Sequence, residues 1–176
     1  NGLAKLPETH SNSDQIPVFG GYKIHSNDVY NYWSTEENNF GRKNVNIVNF
    51  YKKVYNDNNI GFTSGSSKWN SSASYRFKQG RAKAVLFHQM VQKGDISLKP
   101  DETIKIISHS QGGAHAAGFA HELMQYKDSH GKQLYQIEVI EYITPHQPKD
   151  FSHPKGILGI QFSHPKDAIA SDSPWY

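Results

Sequence analysis

The chain has 176 residues, of which 36% are hydrophobic, 12% aromatic and 20% charged, and none is cysteine. That length suits one domain with a core large enough to need no metal or disulfide staple. The missing cysteines exclude a disulfide framework, a Cys-based zinc site and a thiol nucleophile. A net charge of +3 is far from the dense basic patch of a nucleic-acid binder.

Mean hydropathy is −0.72 and the pI is near 8.9. No run approaches the ~18 apolar residues of a membrane span, and the opening segment has no apolar core of the signal-peptide kind. Residues 1–43 are rich in Asn, Ser, Gly and Tyr without a sustained period. They read as a loosely structured lead-in, with a short strand at Val18–Ile24, ahead of a domain over 44–176. In that domain Val45, Ile47 and Phe50 suggest a first strand, and Asn59–Thr63 a second. Thr63-Ser-Gly-Ser-Ser is a turn cluster. Ser71 or Ser72 caps a helix whose apolar residues Phe77, Ala84, Phe87 and Val91 carry it to Lys93, where Gly94 stops it. Gly80 inside it costs roughly 1 kcal/mol against Ala. On this reading His88 is a helix surface residue.

Thr103–Ile107 is a β-branched run that leads into Ser108-His109-Ser110-Gln111-Gly112-Gly113. A helix follows from Ala114 to about Tyr126. Ile137–Ile143 and Gly156–Phe162 are further strands. The proline-rich Thr144–Lys155 between them is a loop. Strands separated by helices predict an α/β fold, a mostly parallel sheet with flanking helices.

The chemistry is concentrated at Ile107–Gly113. A strand, a very tight turn and a helix form a nucleophile elbow, which requires small residues two positions either side of the nucleophile. Ser108 and Gly112 flank Ser110 in this way, with Ser where the usual pattern has Gly. The geometry presents the Ser110 hydroxyl at the carboxyl edge of the sheet and sets the Gln111 backbone N–H at a helix N-terminus, suited to an oxyanion. Thr63, Ser64 and Gly65, after the strand at Asn59–Thr63, are the candidates for the second oxyanion donor. A phosphate-cradling loop is the competing reading, but the Lys-Ser/Thr end and spaced glycines are missing. A serine hydroxyl needs a base and the base an orienting acid. Asp167, after the last strand, is the candidate acid, with Asp150 behind it. In the hydrolase order Ser, Asp, His, no histidine follows Asp167. The base is therefore expected beyond Tyr176, with His146 or His164 as alternatives inside the chain. His115 and His121, six apart on one helix, cannot share a metal, and no strong metal spacing occurs, so neither metal nor organic cofactor is expected.

At these residues the chain resembles the lipase-like branch of the α/β-hydrolase fold, over roughly Val45 to Ser171. The resemblance rests on Phe62-Thr-Ser-Gly, Ile106-Ile-Ser-His-Ser-Gln-Gly-Gly and Gly159-Ile-Gln-Phe-Ser-His-Pro-Lys-Asp-Ala-Ile-Ala-Ser. Thr144-Pro-His-Gln-Pro-x-Asp-Phe and Asn1-Gly-Leu-Ala-Lys resemble C-terminal toxin domains of bacterial Rhs-type polymorphic toxins. The resemblance implies a secreted antibacterial effector delivered to a target cell, hydrolysing lipid or acyl esters such as phospholipids at a membrane surface. An immunity protein or secretion carrier would be its partner, and no nucleic acid. Ser110 takes the position of the family's nucleophile and Asp167 that of its acid. The family's last strand-and-histidine segment has no counterpart here, so the Trp175-Tyr176 end reads as a cut. The alternative is a catalytically incomplete module that binds a carrier, chaperone or immunity protein. Trp33, Trp69 and the tyrosines are candidates for an acyl site or, more simply, for core packing.

Overall fold

The computed structural model describes residues 2–4, 47–58, 60–64 and 72–163. In chain order they form β1 (Gly2–Ala4), α1 (Ile47–Tyr55), β2 (Gly61–Thr63), α2 (Ala73–Lys93), β3 (Thr103–His109), α3 (Gly112–Leu123), β4 (Gln136–Ile143), a 3-10 turn (Pro148–Asp150) and β5 (Leu158–Phe162). The strands make one sheet of order β2-β1-β3-β4-β5. β3, β4 and β5 are parallel. β1 is antiparallel to both its neighbours, so the sheet is only partly parallel. The Val18–Ile24 strand lies outside the described residues.

Helices cover both faces of the central strands. On β3 and β4 alternate residues point to opposite sides, as strand geometry requires. Ile104, Ile106, Ile140 and Tyr142 pack with Phe87 of α2 and Phe119 and Leu123 of α3. Ile107 and Ile143 pack on the other side against Val48 and Tyr51 of α1. This two-sided burial explains why the alternation of Thr-Ile-Lys-Ile breaks at Ile106-Ile107, where both faces of β3 are covered.

One expectation is overturned. The segment containing Ile47 and Phe50 is the helix Ile47–Tyr55, not a strand. Val48, Tyr51 and Tyr55 recur at helical spacing and are the residues turned to the core, whereas Phe50 and Val54 are exposed. The lead-in also contributes structure: Gly2–Ala4 lies between β2 and β3. α3 begins two residues earlier than expected and ends at Leu123. Gly156, with φ 87, is a turn residue ahead of β5, and the Thr144–Lys155 loop holds the 3-10 turn.

α2 behaves as its sequence predicts. The Ser72 hydroxyl accepts from the Tyr75 N–H at 3.3 Å, and Gly94 closes the helix in the left-handed region at φ 82, a position that favours glycine. Gly80 has a reason to be there. A Cβ on it would stand 1.9 Å from the carbonyl oxygen of His115, and one on Gly118 would stand 2.0 Å from that of Phe77. The two glycines let α2 and α3 touch backbone to backbone. The small residues of α3 are buried as expected, but the closest approach of its Gly118 is to α2 rather than to the sheet. Among the described residues, no helix is long and apolar enough to cross a membrane.

Candidate active site

β3 ends at His109 and α3 begins at Gly112, so two residues make the whole turn. Ser110 adopts φ 52, and Gln111 is already right-handed at φ −60, ψ −17. A non-glycine residue in the left-handed region costs of order 1–3 kcal/mol and persists only where its surroundings over-determine it. Here they do. The Ser110 N–H donates to the Ile143 carbonyl at 2.9 Å, and the Ser110 carbonyl accepts from the N–H groups of Gly113 (3.1 Å) and His146 (3.0 Å). Both ends of the Ser110 main chain are thus fixed, one of them to the loop after β4.

The flanking positions explain the small residues. Ser108 is fully buried, and its hydroxyl donates to the Glu141 carbonyl at 3.0 Å. Serine in place of glycine is therefore accommodated by a bond to the adjacent strand. One residue beyond the other flanking position, a Cβ on Gly113 would meet the Phe151 ring and the Pro145 Cβ at 3.2 Å each, so the first turn of α3 packs tightly against the β4 loop. No acidic residue sits in the first turn of α3, and the Gln111 side chain makes no capping bond. The partial positive charge of this helix end is left facing the sheet edge.

The loop after β4 is strained beside it. Thr144 has φ 42 and Gln147 φ 54. The Thr144 N–H donates to the Phe162 carbonyl at 2.7 Å, and Gln147 Oε1 accepts from the Ala73 N–H at 3.0 Å. That last bond ties the start of α2 to the same edge. Three of the four described non-glycine residues with positive φ, Ser110, Thr144 and Gln147, follow the carboxyl ends of β3 and β4. Such clustering is characteristic of functional sites.

The structure brings His146 to the elbow through its main chain. None of the described hydrogen bonds joins an imidazole to the Ser110 hydroxyl. The other described histidines divide by role. His153 is engaged at both nitrogens: Nε2 donates to the Ile157 carbonyl at 2.8 Å, so Nδ1 accepts from the Tyr142 hydroxyl at 3.0 Å. His88 is not the surface residue expected from its place on α2. It stacks on Tyr126 at 3.8 Å between centroids and bonds the Tyr135 hydroxyl at 2.7 Å. Asp150 is exposed in the 3-10 turn. Asp167, His164, Gly65, Ser71, Trp33, Trp69, Trp175 and Tyr176 lie outside the described residues.

Thr63 ends β2 at the same sheet edge, but β1 stands between. Thr63 and Ser108 both face Gly2 in the register, so two strand spacings, about 10 Å, separate them. Thr63 is buried, and its hydroxyl lies 3.2 Å from His115 Nε2. Ser64 follows it, half-buried.

One feature escaped the sequence reading. Glu141, 5% exposed, points to the α1 side of the sheet. Its carboxylate accepts from the Tyr51 hydroxyl at 2.6 Å and from the Tyr55 hydroxyl. Burial first, and the carboxylate second, push both phenols above their ordinary range. The available signal was an acid, Glu141, set among the apolar residues Val139, Ile140, Tyr142 and Ile143 of β4, and two tyrosines four apart, which share a helix face. Among the described residues, no three His, Asp or Glu are grouped to hold a metal ion.

No family model, curated protein or solved structure matches the chain.

Proposed function

We propose that the chain is a serine ester hydrolase of the lipase or phospholipase type, built on an α/β-hydrolase-like arrangement and acting by acyl transfer through Ser110. The observation that carries this reading is the elbow itself: a strand, a serine held at φ 52, and a helix N-terminus, with the serine main chain clamped on both sides. A serine with an ordinary structural role has no need of that strain.

In the proposed reaction Ser110 Oγ attacks the ester carbonyl and its proton passes to an imidazole. The negative charge on the carbonyl oxygen is held by the Gln111 N–H and by a donor from the Thr63–Ser64 segment. Collapse expels the alcohol, which takes up the proton, and water then cleaves the acyl-enzyme in a second cycle. His146 is the base among the described residues, on the strength of its main-chain bond to Ser110, and Asp167 is the acid. The organism-level reading is an antibacterial secreted effector acting on lipid or acyl esters at a membrane surface, with an immunity protein or carrier as partner.

A second reading is favoured by the lack of a described bond between an imidazole and the Ser110 hydroxyl: a hydrolase-fold module that binds a carrier, chaperone or immunity protein without turnover. A fluorophosphonate probe separates the two. Labelling of the wild-type chain that vanishes in Ser110→Ala is the expected result. A folded wild type that takes no label, and releases no fatty acid from phospholipid vesicles, refutes the hydrolase.

A further inference from the structure

His115 stands five residues after the nucleophile candidate and is wholly buried. Its Nε2 lies 3.2 Å from the Thr63 hydroxyl oxygen, while Nδ1 has no hydrogen-bond partner. Burial, reinforced by the positive charges of Lys83 and Arg76, pushes its pKa down to about 3, so the ring is neutral at physiological pH and carries a single N–H. The two tautomers are unequal. With the proton on Nδ1, a buried N–H would have no acceptor. With the proton on Nε2, only a lone pair goes unused, a lesser defect, since orphaned buried donors are rarer than under-used acceptors. The Nε2–H therefore donates to Thr63 Oγ1. A threonine hydroxyl that accepts in this way keeps its own proton for donation elsewhere.

The surroundings give that proton a direction. Gln111 is the N-cap of α3 and is already right-handed, and His115 follows one turn into the helix. The Thr63 hydroxyl is therefore tied to α3 one turn below the end that presents the Gln111 N–H. β2 makes no ladder with β3, because β1 intervenes. The His115–Thr63 bond is a direct tie between the nucleophile's helix and the segment expected to complete its oxyanion pocket.

We infer that His115 is a positioning residue of this pocket: it locks the end of β2 to α3 and fixes the Thr63 hydroxyl as a donor toward the acyl oxygen of an ester substrate. The inference rests on the acyl-transfer reading above. It makes Thr63 contribute through its side chain as well as through the backbone at the end of β2, and it gives a task to a buried imidazole that the reaction otherwise does not use.

The test is a double-mutant cycle on turnover of p-nitrophenyl butyrate, with fluorophosphonate labelling run beside it. Thr63→Val removes the hydroxyl at nearly constant shape. It is expected to lower kcat about 100-fold, the usual loss for one oxyanion donor, with KM little changed. His115→Leu is expected to give a similar loss, and His115→Gln, which retains an N–H donor, to recover part of it. Thr63→Val with His115→Leu is expected to be no slower than Thr63→Val alone, because both act through one hydroxyl. Multiplicative losses overturn the inference while leaving acyl transfer standing. A wild type with neither label nor turnover overturns acyl transfer itself. Should His115→Leu not fold, ¹⁵N-histidine NMR of the wild type decides the matter: an Nε2-protonated, neutral ring at pH 5 supports the assignment, and an Nδ1-protonated or charged ring refutes it.

Discussion

Gly118→Ala puts the α2–α3 contact to the test. The added Cβ would lie 2.0 Å from the Phe77 carbonyl oxygen, 2.8 Å from its carbonyl carbon and 3.0 Å from its Cα. A relaxed C···O contact needs about 3.3 Å, so the helices must part locally by roughly 1.3 Å. The obstacle is backbone and cannot rotate away. Overpacking of this kind costs about 1–3 kcal/mol, and occasionally more. Alanine returns about 1 kcal/mol of helix propensity. Because the clash is with main chain, the upper part of the overpacking range applies, and the net loss is about 2 kcal/mol. In a chain of this size that lowers Tm by about 4–8 °C. Urea unfolding should show a lower midpoint at unchanged slope. Gly80→Ala meets the His115 carbonyl at 1.9 Å and should cost as much. The double variant should cost less than the two together, since the first Cβ already separates the helices. Because α3 carries the elbow, fluorophosphonate labelling should slow as well. A Gly118→Ala protein as stable as wild type would refute the close crossing.

At φ 52, Ser110→Gly should be about 1 kcal/mol more stable than Ser110→Ala, because glycine alone enters that region without strain; both should be dead to the probe, and equal stabilities would contradict the strained turn. His115 gives a pH dependence. Its folded pKa, near 3, lies below the ordinary 6.5, so between those values the unfolded chain binds the extra proton. The stability contributed by the neutral ring is whole above about pH 6.5 and is lost as pH falls toward 3, up to about 5 kcal/mol in all. Urea midpoints measured across that window should fall more steeply in wild type than in His115→Gln. Tyr51→Phe leaves the buried Glu141 carboxylate short of a donor and should cost about 1.5–3 kcal/mol, measurable by thermal unfolding; an unchanged Tm would remove Glu141 from the list of interactions holding α1 to the sheet.

The elements with a long, consistent period were legible. α2 spans 21 residues, from a serine cap to a glycine stop, and β3 and β4 are strands of seven and eight residues rich in isoleucine and other β-branched side chains. The elbow was legible too, because its steric demand leaves small residues in fixed places. The segment around Ile47 was misread because a nine-residue helix shows only two turns of its period, and Val45, Ile47 and Val48 imitate an apolar strand. β1 was invisible for a different reason: three residues carry no period at all. His88, His115 and Glu141 share a third cause. Their surroundings are assembled from distant parts of the chain, Tyr135 for His88, Thr63 for His115 and the α1 tyrosines for Glu141, and spacing along a sequence cannot report such pairings.

The position of β1 has a consequence for how the chain assembles. Its pairings, Gly2 with Thr63 and Gly2 with Ser108, close loops of roughly 60 and 105 residues, whereas α2 and α3 are near neighbours in sequence. Loop-closure entropy delays contacts of that range. The parallel strands with α2 and α3 can therefore gather first, with β2 held by its side-chain tie to α3 and by Phe62 against Val48, Tyr51 and Ile107. The three residues of β1 then arrive late, as the wedge that joins β2 to β3. Until they do, the backbone edge of β3 stands open beside the serine, so the strand that closes this edge is also the one that finishes the site.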